Sequence, residues 1–253
     1  MKVACISDMG RSREINEDDC TYYKYDNGWN LLIVADGMGG HNAGEVASKM
    51  AIKSITDYIK GDIKDNITND GIINLIKHSV KKANDDIYSE SINNTLYSGM
   101  GTTVSMAMIS KHVMLVGHVG DSRVYILKDR ELKRITNDHS LVAELLKSGT
   151  ITEDEALHHP QKNIITRALG TEDSVDVDIE NIGVEQRDVV LLCTDGLTNM
   201  VTDKEIQEML LSSSDINIAA QELVGLANNR GGYDNITVVI GEIAYQDKEV
   251  EQW

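Results

Sequence analysis

Five aspartates in this 253-residue chain stand close to the ends of predicted strands. Asp36, Asp121 and Asp195 close the apolar runs LLIVAD, MLVGHVGD and VVLLCTD, while Asp18 and Asp234 come shortly before CTYYKY and NITVVI. In an antiparallel sheet the end of one strand lies beside the start of its neighbour. We therefore expect the five carboxylates to meet at one edge of a sheet structure.

Each aspartate alone has an ordinary explanation, since Asp36-Gly37 and Asp195-Gly196 are common turn signals. The set of five is different. Two carboxylates 4 Å apart repel by about 4 kcal/mol at an effective dielectric of 20, so crowded acids protonate or move apart unless cations lie among them. Oxygen ligands suit Mg²⁺ or Mn²⁺, and less well Ca²⁺. A pair of such ions can activate water and neutralise a phosphoryl group during its transfer.

A glycine-rich loop follows Asp36 and contains Gly37, Gly39, Gly40 and Gly44. Without a Cβ at Gly37, its carbonyl can approach an ion. The loop also opens a predicted helix, whose N-terminal amides favour anions. No GKS or GKT follows, so the loop is not a nucleotide-binding P-loop. Because glycine-rich turns between a strand and a helix are common, the loop by itself is a weak signal.

The predicted strands and helices that must position these residues occur in groups along the chain. Strands are predicted at 2–8, 20–25, 30–36, in four short stretches between 102 and 136, and at 175–182, 188–195 and 235–243, with Asn27-Gly28 as a hairpin turn. Helices are predicted at 42–61, 70–91, 140–149, 152–159, 202–213 and 216–231. Grouped strands and paired helices favour antiparallel sheets with helices outside them, rather than βαβ units.

Composition excludes several classes of protein. The net charge of −17 disfavours binding to nucleic acid or an anionic membrane, which requires a basic patch; the excess acid serves solubility, metal binding or both. No apolar run reaches the roughly 18 residues of a spanning helix, and the N-terminus lacks the apolar segment of a signal peptide. Cys5, Cys20 and Cys193 show neither disulfide nor zinc spacing. We expect a soluble, reduced, cytoplasmic protein with Cys193 in its core.

Eight segments occur in order along the chain: RSREINEDD, ADGMGGHNAGE, GTT, VGDSRVY, DHS, ITRALG, LLCTDGLTN and GGYDNITVV. Together they resemble the metal-dependent serine/threonine phosphatases of the protein phosphatase 2C family in its compact bacterial form, over roughly residues 3–243. The resemblance implies an α+β fold, a β-sandwich of two antiparallel sheets flanked by helices on both outer faces. It implies one catalytic domain at 1–245, with a flap-like insertion at 138–170 and an acidic tail at 246–253.

The resemblance also implies a set of metal ligands for two Mn²⁺ or Mg²⁺ ions. Asp36 would bridge both ions, with the Gly37 carbonyl on one, and Asp195 and Asp234 would hold the other. Glu17 and Asp18 would act mostly through bound waters, and Asp121 would help to hold a third, weaker ion. Glu17 is a departure, because bacterial members often carry Gln there; the change adds an acid and removes no ligand.

Arg13 would grip the substrate phosphate, since its planar guanidinium matches phosphate oxygens. The residues alone favour a different interpretation, a surface arginine paired with Glu14 or Glu17. His41 would donate a proton to the leaving alkoxide, unless it only packs at a helix N-terminus.

Three other histidines, His139, His158 and His159, lie in or beside the predicted flap. We expect them to be surface residues or substrate contacts rather than metal ligands.

The predicted activity is hydrolysis of phosphoserine and phosphothreonine in proteins. A metal-bridging water attacks phosphorus directly, and no cysteine serves as the nucleophile. The expected partners are phosphoproteins and an opposing bacterial serine/threonine kinase, and we expect a monomer. Two alternatives remain: a non-catalytic sandwich that binds a phosphoprotein or senses metal, and a metal-dependent hydrolase of another phosphate, such as a phosphodiester.

Overall fold

Two antiparallel sheets form the centre of the computed structural model, which describes residues 1–39, 43–157 and 159–244. The first sheet has the strand order β1 (Lys2–Asp8), β11 (Ile236–Glu242), β10 (Val189–Cys193), β7 (Arg123–Lys128) and β8 (Glu131–Arg134). The second has the order β2 (Asp18–Lys24), β3 (Asn30–Met38), β5 (Val104–Ser110), β6 (Val113–Val119) and β9 (Asp178–Gly183), and β4 (Gly101–Thr102) pairs with β3.

Helices cover the outer face of each sheet. In chain order, the α-helices of the described residues are α1 (Ala43–Asp62), α2 (Asn69–Asn93), α3 (Leu141–Lys147), α4 (Glu153–Leu157), α5 (Asp195–Thr198), α6 (Asp203–Ser212) and α7 (Ile216–Asn229). Helices α1 and α2 pack on the second sheet, and α7 packs on β1 and β11 of the first. The order of layers is therefore helix, sheet, sheet, helix, as the sequence predicts.

Alternating side chains of each central strand enter different parts of the core. In β3, Leu31 and Ile33 belong to the core beneath α1 and α2, while Leu32 and Val34 belong to the core between the sheets. In β10, Leu191 faces the core under α7. Because both faces of these strands are covered, they read as continuous apolar runs instead of alternating ones. Such runs end where the sandwich ends, so the polar residues that follow them lie at its edge.

The hairpin between β2 and β3 sets the register of the edge that carries two of the acids. Its loop is Asp26–Gly28, closed by a hydrogen bond from Tyr25 N–H to Trp29 O (2.9 Å). Gly28 has φ +87°, the left-handed conformation that a three-residue hairpin loop places at this position. Asp18 consequently stands directly opposite Asp36.

The segment 138–170 contains α3 and α4 and returns to the sandwich at its base. Ser140 pairs with Ile165, and Thr102 of β4 pairs with Leu169. Its behaviour as a flap and the extent of the domain to residue 245 stay predictions. The predicted acidic tail at 246–253 lies outside the described residues.

The expectation that the cysteines carry no disulfide is wrong for one pair. Cys5 of β1 and Cys20 of β2 form a disulfide that joins the two sheets, while Cys193 is free and buried in the core, as predicted. The two strands belong to different sheets, so their approach depends on how the sandwich packs. A separation of 15 residues in the sequence carries no sign of that approach. Among the described residues, no helix has the length and apolar character needed to span a membrane.

Candidate active site

The candidate acids come from both sheets and gather at one end of the sandwich. Asp18 begins β2 and Asp36 lies opposite it in β3. Asp195 follows β10 as the first residue of α5, and Asp234 lies two residues before β11. The electrostatic environment of the Asp36 carboxyl includes all four of the other predicted aspartates, Asp121 among them. The structure thus brings together the five residues that the sequence places at strand ends.

Thr194 ties the acids of the two sheets together. Its hydroxyl donates to Asp18 Oδ2 (2.8 Å) and accepts the Thr237 N–H (3.0 Å). Asp18, on the second sheet, is therefore anchored to the β10–β11 edge of the first. Thr194 is fully buried, and the sequence analysis did not single it out; its position next to Asp195 at the end of a buried strand is the signal that was available.

Two buried threonines fix the backbone of Asp36. The Asp36 N–H donates to Thr103 Oγ1 (3.0 Å), and the Asp36 carbonyl accepts both the Thr103 N–H (2.9 Å) and the Thr102 hydroxyl (2.9 Å). Through these bonds, the threonines of the GTT segment hold the end of β3 that carries Asp36. The sequence showed the segment but not this contact.

Gly37 is required by close packing as well as by any approach of its carbonyl to an ion. Its N–H donates to Glu17 O (3.1 Å), and a Cβ at Gly37 would lie 2.1 Å from Gly44 O. Gly44 meets the Glu17 side chain in the same way, since a Cβ there would lie 2.4 Å from Glu17 Oε1. The two glycines let the start of α1 rest directly on the loop that carries Glu17.

Asn235 organises that loop, and the sequence analysis missed it. Its side chain accepts the Glu17 N–H (2.8 Å) and donates to Met9 O (2.9 Å) and Ile15 O (2.9 Å). The side chain is nearly inaccessible, with 3% of the residue exposed, and all three bonds hold the loop that bears Arg13. An amide beside Asp234 at the start of a buried strand was the signal in the sequence.

Burial raises the pKa of the acids. It raises the pKa of Asp18 to about 7, against the opposing hydrogen bonds from Thr237 and Thr194. Burial and then the charge of Asp195 raise the pKa of Asp121 to about 8. Burial and the other acids hold the pKa of Asp36 well above its ordinary value. A cation among these groups would oppose both effects, because it favours the ionised carboxylates.

Three carboxylate oxygens at the site are buried without a hydrogen-bond partner: Glu17 Oε1, Asp18 Oδ1 and Asp121 Oδ1. Buried polar atoms normally have partners, so these three oxygens are suited to bind an ion or water. Within the described part of the chain, no three His, Cys, Asp or Glu side chains already form a closed metal cage. The fit to Mn²⁺ or Mg²⁺ therefore rests on hard oxygen donors that are buried and unpaired.

Arg13 lies at the edge of the acid cluster, with 45% of its side chain exposed. Its Nη2 donates to Asp234 Oδ2 (2.8 Å), and its Nη1 is 3.9 Å from Glu17 Oε2. The contact with Glu17 is the one expected of a surface arginine, whereas the stronger bond to Asp234 places the guanidinium at the predicted site. The longer contact is the one that a phosphate oxygen could replace.

Two of the four histidines considered in the sequence, His139 and His159, lie among the described residues. His41 and His158 lie outside the described residues, so their predicted roles stay predictions. His159 is partly exposed, and its Nδ1 accepts the Gln161 N–H (3.2 Å). The expectation that His139 is a surface residue is wrong, because it is 8% exposed and its Nδ1 accepts the Gly120 N–H; the alternative of a substrate contact stays a prediction.

Cys5 and Arg11 have the spacing CxxxxxR, which also marks the phosphate-binding loop of cysteine-dependent phosphatases. Here Cys5 lies within β1 and is bonded to Cys20. The Arg11 N–H donates to Gly232 O (2.7 Å), which joins its loop to the one before Asp234. Cys5 and Arg11 therefore do not form a phosphate-binding loop around a free thiolate.

Comparison with known proteins agrees with this geometry. The family model described as Protein phosphatase 2C matches residues 10–225. The chain belongs to the protein phosphatase 2C family. Among curated relatives of this phosphatase, the serine/threonine phosphatase stp of Listeria monocytogenes is 40% identical over 236 residues, which cover 93% of each chain. Protein phosphatase PhpP of Streptococcus pneumoniae is 38% identical over 250 residues, covering 98% of this chain and 100% of PhpP.

Solved structures of protein phosphatase 2C relatives have the same fold. The serine/threonine phosphatase of S. agalactiae superposes with a TM-score of 0.90 at 37% identity, covering 96% of this phosphatase and 99% of that chain. The catalytic domain of the serine/threonine protein phosphatase PstP, solved in complex with two manganese ions, gives a TM-score of 0.84 at 33% identity, covering 96% and 98%. The predicted family and fold class are confirmed.

Proposed function

We propose that this member of the protein phosphatase 2C family hydrolyses phosphoserine and phosphothreonine in proteins with the help of two Mn²⁺ or Mg²⁺ ions. The observation that carries the proposal is the group of crowded, mutually repelling aspartates around Asp36, two of which, Asp18 and Asp121, are buried and have an oxygen left unpaired. A stable fold keeps such a group only where its charge is compensated in the working state.

The proposed ligands follow the arrangement of the acids. Asp36 interacts with each of the other four aspartates, which suits a bridging ligand, and the Gly37 carbonyl follows it on the same strand. Asp195 and Asp234 enter from the first sheet and would hold the second ion. Glu17 and Asp18 would act through waters, and Asp121 would serve a third, weaker ion.

When bound, the ions would supply an activated water and neutralise charge on the phosphate. Arg13 would orient the phosphate with its guanidinium fork, kept in place by the bond from Nη2 to Asp234. The bond from water oxygen to phosphorus forms as the bond from phosphorus to the serine or threonine oxygen breaks. The leaving oxygen then needs a proton, and His41 is the proposed donor.

The biological setting is proposed more broadly. The curated relatives are a serine/threonine phosphatase and a protein phosphatase by name, which supports phosphoproteins as substrates of this chain. An opposing serine/threonine kinase, a cytoplasmic location and a monomeric state stay predictions.

The test is metal dependence on two kinds of substrate. We expect protein stripped with EDTA to lose activity on a phosphothreonine peptide and on p-nitrophenyl phosphate, and added Mn²⁺ or Mg²⁺ to restore it. Isothermal titration should show two tight sites, with any third ion as a weaker phase. Robust turnover of p-nitrophenyl phosphate in excess EDTA would exclude the proposed mechanism, and a preference for bis-p-nitrophenyl phosphate would favour a phosphodiesterase instead.

A further inference from the structure

His139 is buried beside the acid cluster but has no part in the chemistry proposed above. It follows β8 and stands at the base of the segment 140–169, where 8% of the residue is exposed. Its ring lies 4.7 Å, centroid to centroid, from the ring of His118. A buried polar ring in this place must have its hydrogen bonds satisfied, and its partners show what the residue holds together.

Two hydrogen bonds join His139 to Gly120. The His139 N–H donates to Gly120 O (2.7 Å), and the Gly120 N–H donates to His139 Nδ1 (3.0 Å). Gly120 has φ +111°, and a Cβ there would lie 2.5 Å from Thr103 Cβ. The chain therefore makes a turn at Gly120 that other residues would strain, immediately before Asp121. His139 therefore binds both the N–H and the C=O of Gly120, one on each side of its Cα.

The hydrogen bond from the Gly120 N–H fixes the tautomer of the His139 ring. A backbone N–H can only donate, so His139 Nδ1 must be the acceptor and Nε2 must carry the hydrogen. Nε2 then donates to Asp178 Oδ2 (3.1 Å). Arg167 Nη1, 3.2 Å from Nε2, is also a donor, and it is satisfied by Asp178 Oδ1 (2.7 Å). The ring thus connects the Gly120 turn to a carboxylate that also holds Arg167.

Both ends of the segment 140–169 are linked by hydrogen bonds to residues beside the acid cluster. At one end, the Thr166 N–H donates to His139 O (2.8 Å), and His139 holds the turn before Asp121. At the other end, Leu169 exchanges two backbone hydrogen bonds with Thr102 (2.9 and 3.0 Å), whose hydroxyl donates to Asp36 O (2.9 Å). Each end of the segment is therefore one residue removed from a candidate ligand.

We infer that His139 is a positioning residue, which sets the Gly120 turn, and with it Asp121, through the Nδ1 acceptor, and which couples the base of the segment 140–169 to the acid site. The inference rests on the proposed function for its effect on turnover. The hydrogen bond itself can be tested without any activity.

Two substitutions separate the two nitrogens of the ring. His139→Asn keeps an acceptor near the position of Nδ1 but loses the link to Asp178, whereas His139→Gln places its amide near Nε2 and removes the acceptor for Gly120. We expect His139→Gln to lower kcat on p-nitrophenyl phosphate about tenfold, the effect of one lost buried hydrogen bond, and to raise the Mn²⁺ concentration at half-maximal activity. His139→Asn should lose clearly less. His78→Gln, the same change on the exposed face of α2, is the matched control.

A second measurement works on the unmodified protein and in the absence of turnover. Hydrogen exchange of the Gly120 amide should be slowed at least about tenfold relative to an unprotected loop amide, and His139→Gln should remove this protection. An unprotected Gly120 amide in the wild-type protein would overturn the inference even if neither variant folds. Equal losses of kcat in the Asn and Gln variants would also overturn it, because ring volume and not the acceptor would then matter. Absence of metal-dependent turnover in the wild type would instead count against the proposed function.

Discussion

The acid cluster and the neighbouring Arg123 cluster are both built from largely buried charges, but their hydrogen bonding differs. Arg123 donates Nε to Asp138 Oδ1 (3.0 Å) and Nη2 to Asp138 Oδ2 (2.7 Å), a two-pronged pair in which 23% and 14% of the side chains are exposed. Its Nη1 reaches Tyr125 OH (3.3 Å), which donates to Asp203 Oδ1 (2.9 Å). In the acid cluster, by contrast, oxygens of Asp18 and Asp121 have no partner.

The Arg123 cluster and the acid cluster differ in how their charges are compensated. In the Arg123 cluster, burial acts to lower the pKa of the guanidinium, but the bonds to Asp138 outweigh it and raise the pKa overall. In the acid cluster, burial and like charges both raise the pKa of Asp36. A closed network such as the first supports the fold, whereas an open group of one sign needs a ligand of the opposite sign to be stable. Between these two clusters, the difference lies in the hydrogen bonding and the sign of the charges more than in burial.

The largest expected effect is that of Asp36→Asn, which removes the central charge of the open cluster and keeps the side-chain volume. We expect kcat on a phosphothreonine peptide at saturating Mn²⁺ to fall by about a thousandfold, comparable with loss of a strong electrostatic contact to the transition state. In EDTA, the thermal midpoint should stay the same or rise, because like-charge repulsion is relieved.

Asp26→Asn, at an exposed position in the β2–β3 turn, is the control for Asp36→Asn. It should change neither kcat nor the thermal midpoint. Wild-type kinetics for Asp36→Asn at saturating metal would contradict the assignment of Asp36, and a collapsed thermal midpoint in EDTA would show that the acid cluster supports the fold after all.

The open cluster was easier to predict from the sequence than the closed one. Buried strands give long apolar runs, so the acids that end them are visible without any knowledge of pairing. To predict the register of β2 against β3, the length of the hairpin loop must also be known. A two-residue loop at Asn27-Gly28, as the sequence predicted, would place Asp18 opposite Gly37, whereas the observed three-residue loop places it opposite Asp36. The type of turn thus decides which side chains face each other.

The supporting residues could not be predicted because their contacts join distant parts of the chain. Asn235 bonds to Glu17 across 218 positions, and Cys5 meets Cys20 only because the two sheets face each other. His139 was expected at the surface because it lies in the predicted flap, yet its Nδ1 accepts the Gly120 N–H. The chemistry of single residues indicated the candidate ligands, but the contacts that hold these residues in place depend on tertiary packing.

A smaller effect, on stability, is expected when the closed cluster is opened by Asp138→Asn. The change leaves the largely buried Arg123 charge without its carboxylate, so the free energy of unfolding should fall by roughly 3 kcal/mol. Urea denaturation of the metal-free protein measures it. Asp129→Asn, in the exposed turn after β7, is the matched control and should lie within about 0.5 kcal/mol of the wild type.

The double variant Arg123→Met with Asp138→Leu sharpens this test. Replacing both partners removes the uncompensated charge, so most of the stability lost in Asp138→Asn should return. If Asp138→Asn is as stable as the wild type, the Arg123 cluster is not a closed network that supports the fold, and the contrast with the acid cluster fails.

The smallest effect concerns the pH dependence of stability at His118, a fully paired buried residue. Burial lowers the pKa of His118 to about 4. Its Nδ1 lies 2.9 Å from Ser105 Oγ, and its Nε2 lies 3.0 Å from Asn137 O. In the unfolded chain the ring takes up a proton near pH 6.5. The unfolded state therefore binds more protons between about pH 6.5 and 4, so stability is present above this window and is lost as the pH falls through it.

We expect His118 to make the free energy of unfolding about 1 kcal/mol smaller at pH 5.5 than at pH 7, and His118→Gln to remove this part of the pH dependence while keeping a donor to Asn137 O. The acids titrate in the same range in both proteins, so the difference between the two urea-denaturation series isolates the histidine. Identical slopes would mean that the folded protein accommodates the protonated ring. The hydrogen bonds of His118 would then oppose protonation of the ring no more than water does. Full hydrogen bonding would not identify a residue that supports the fold.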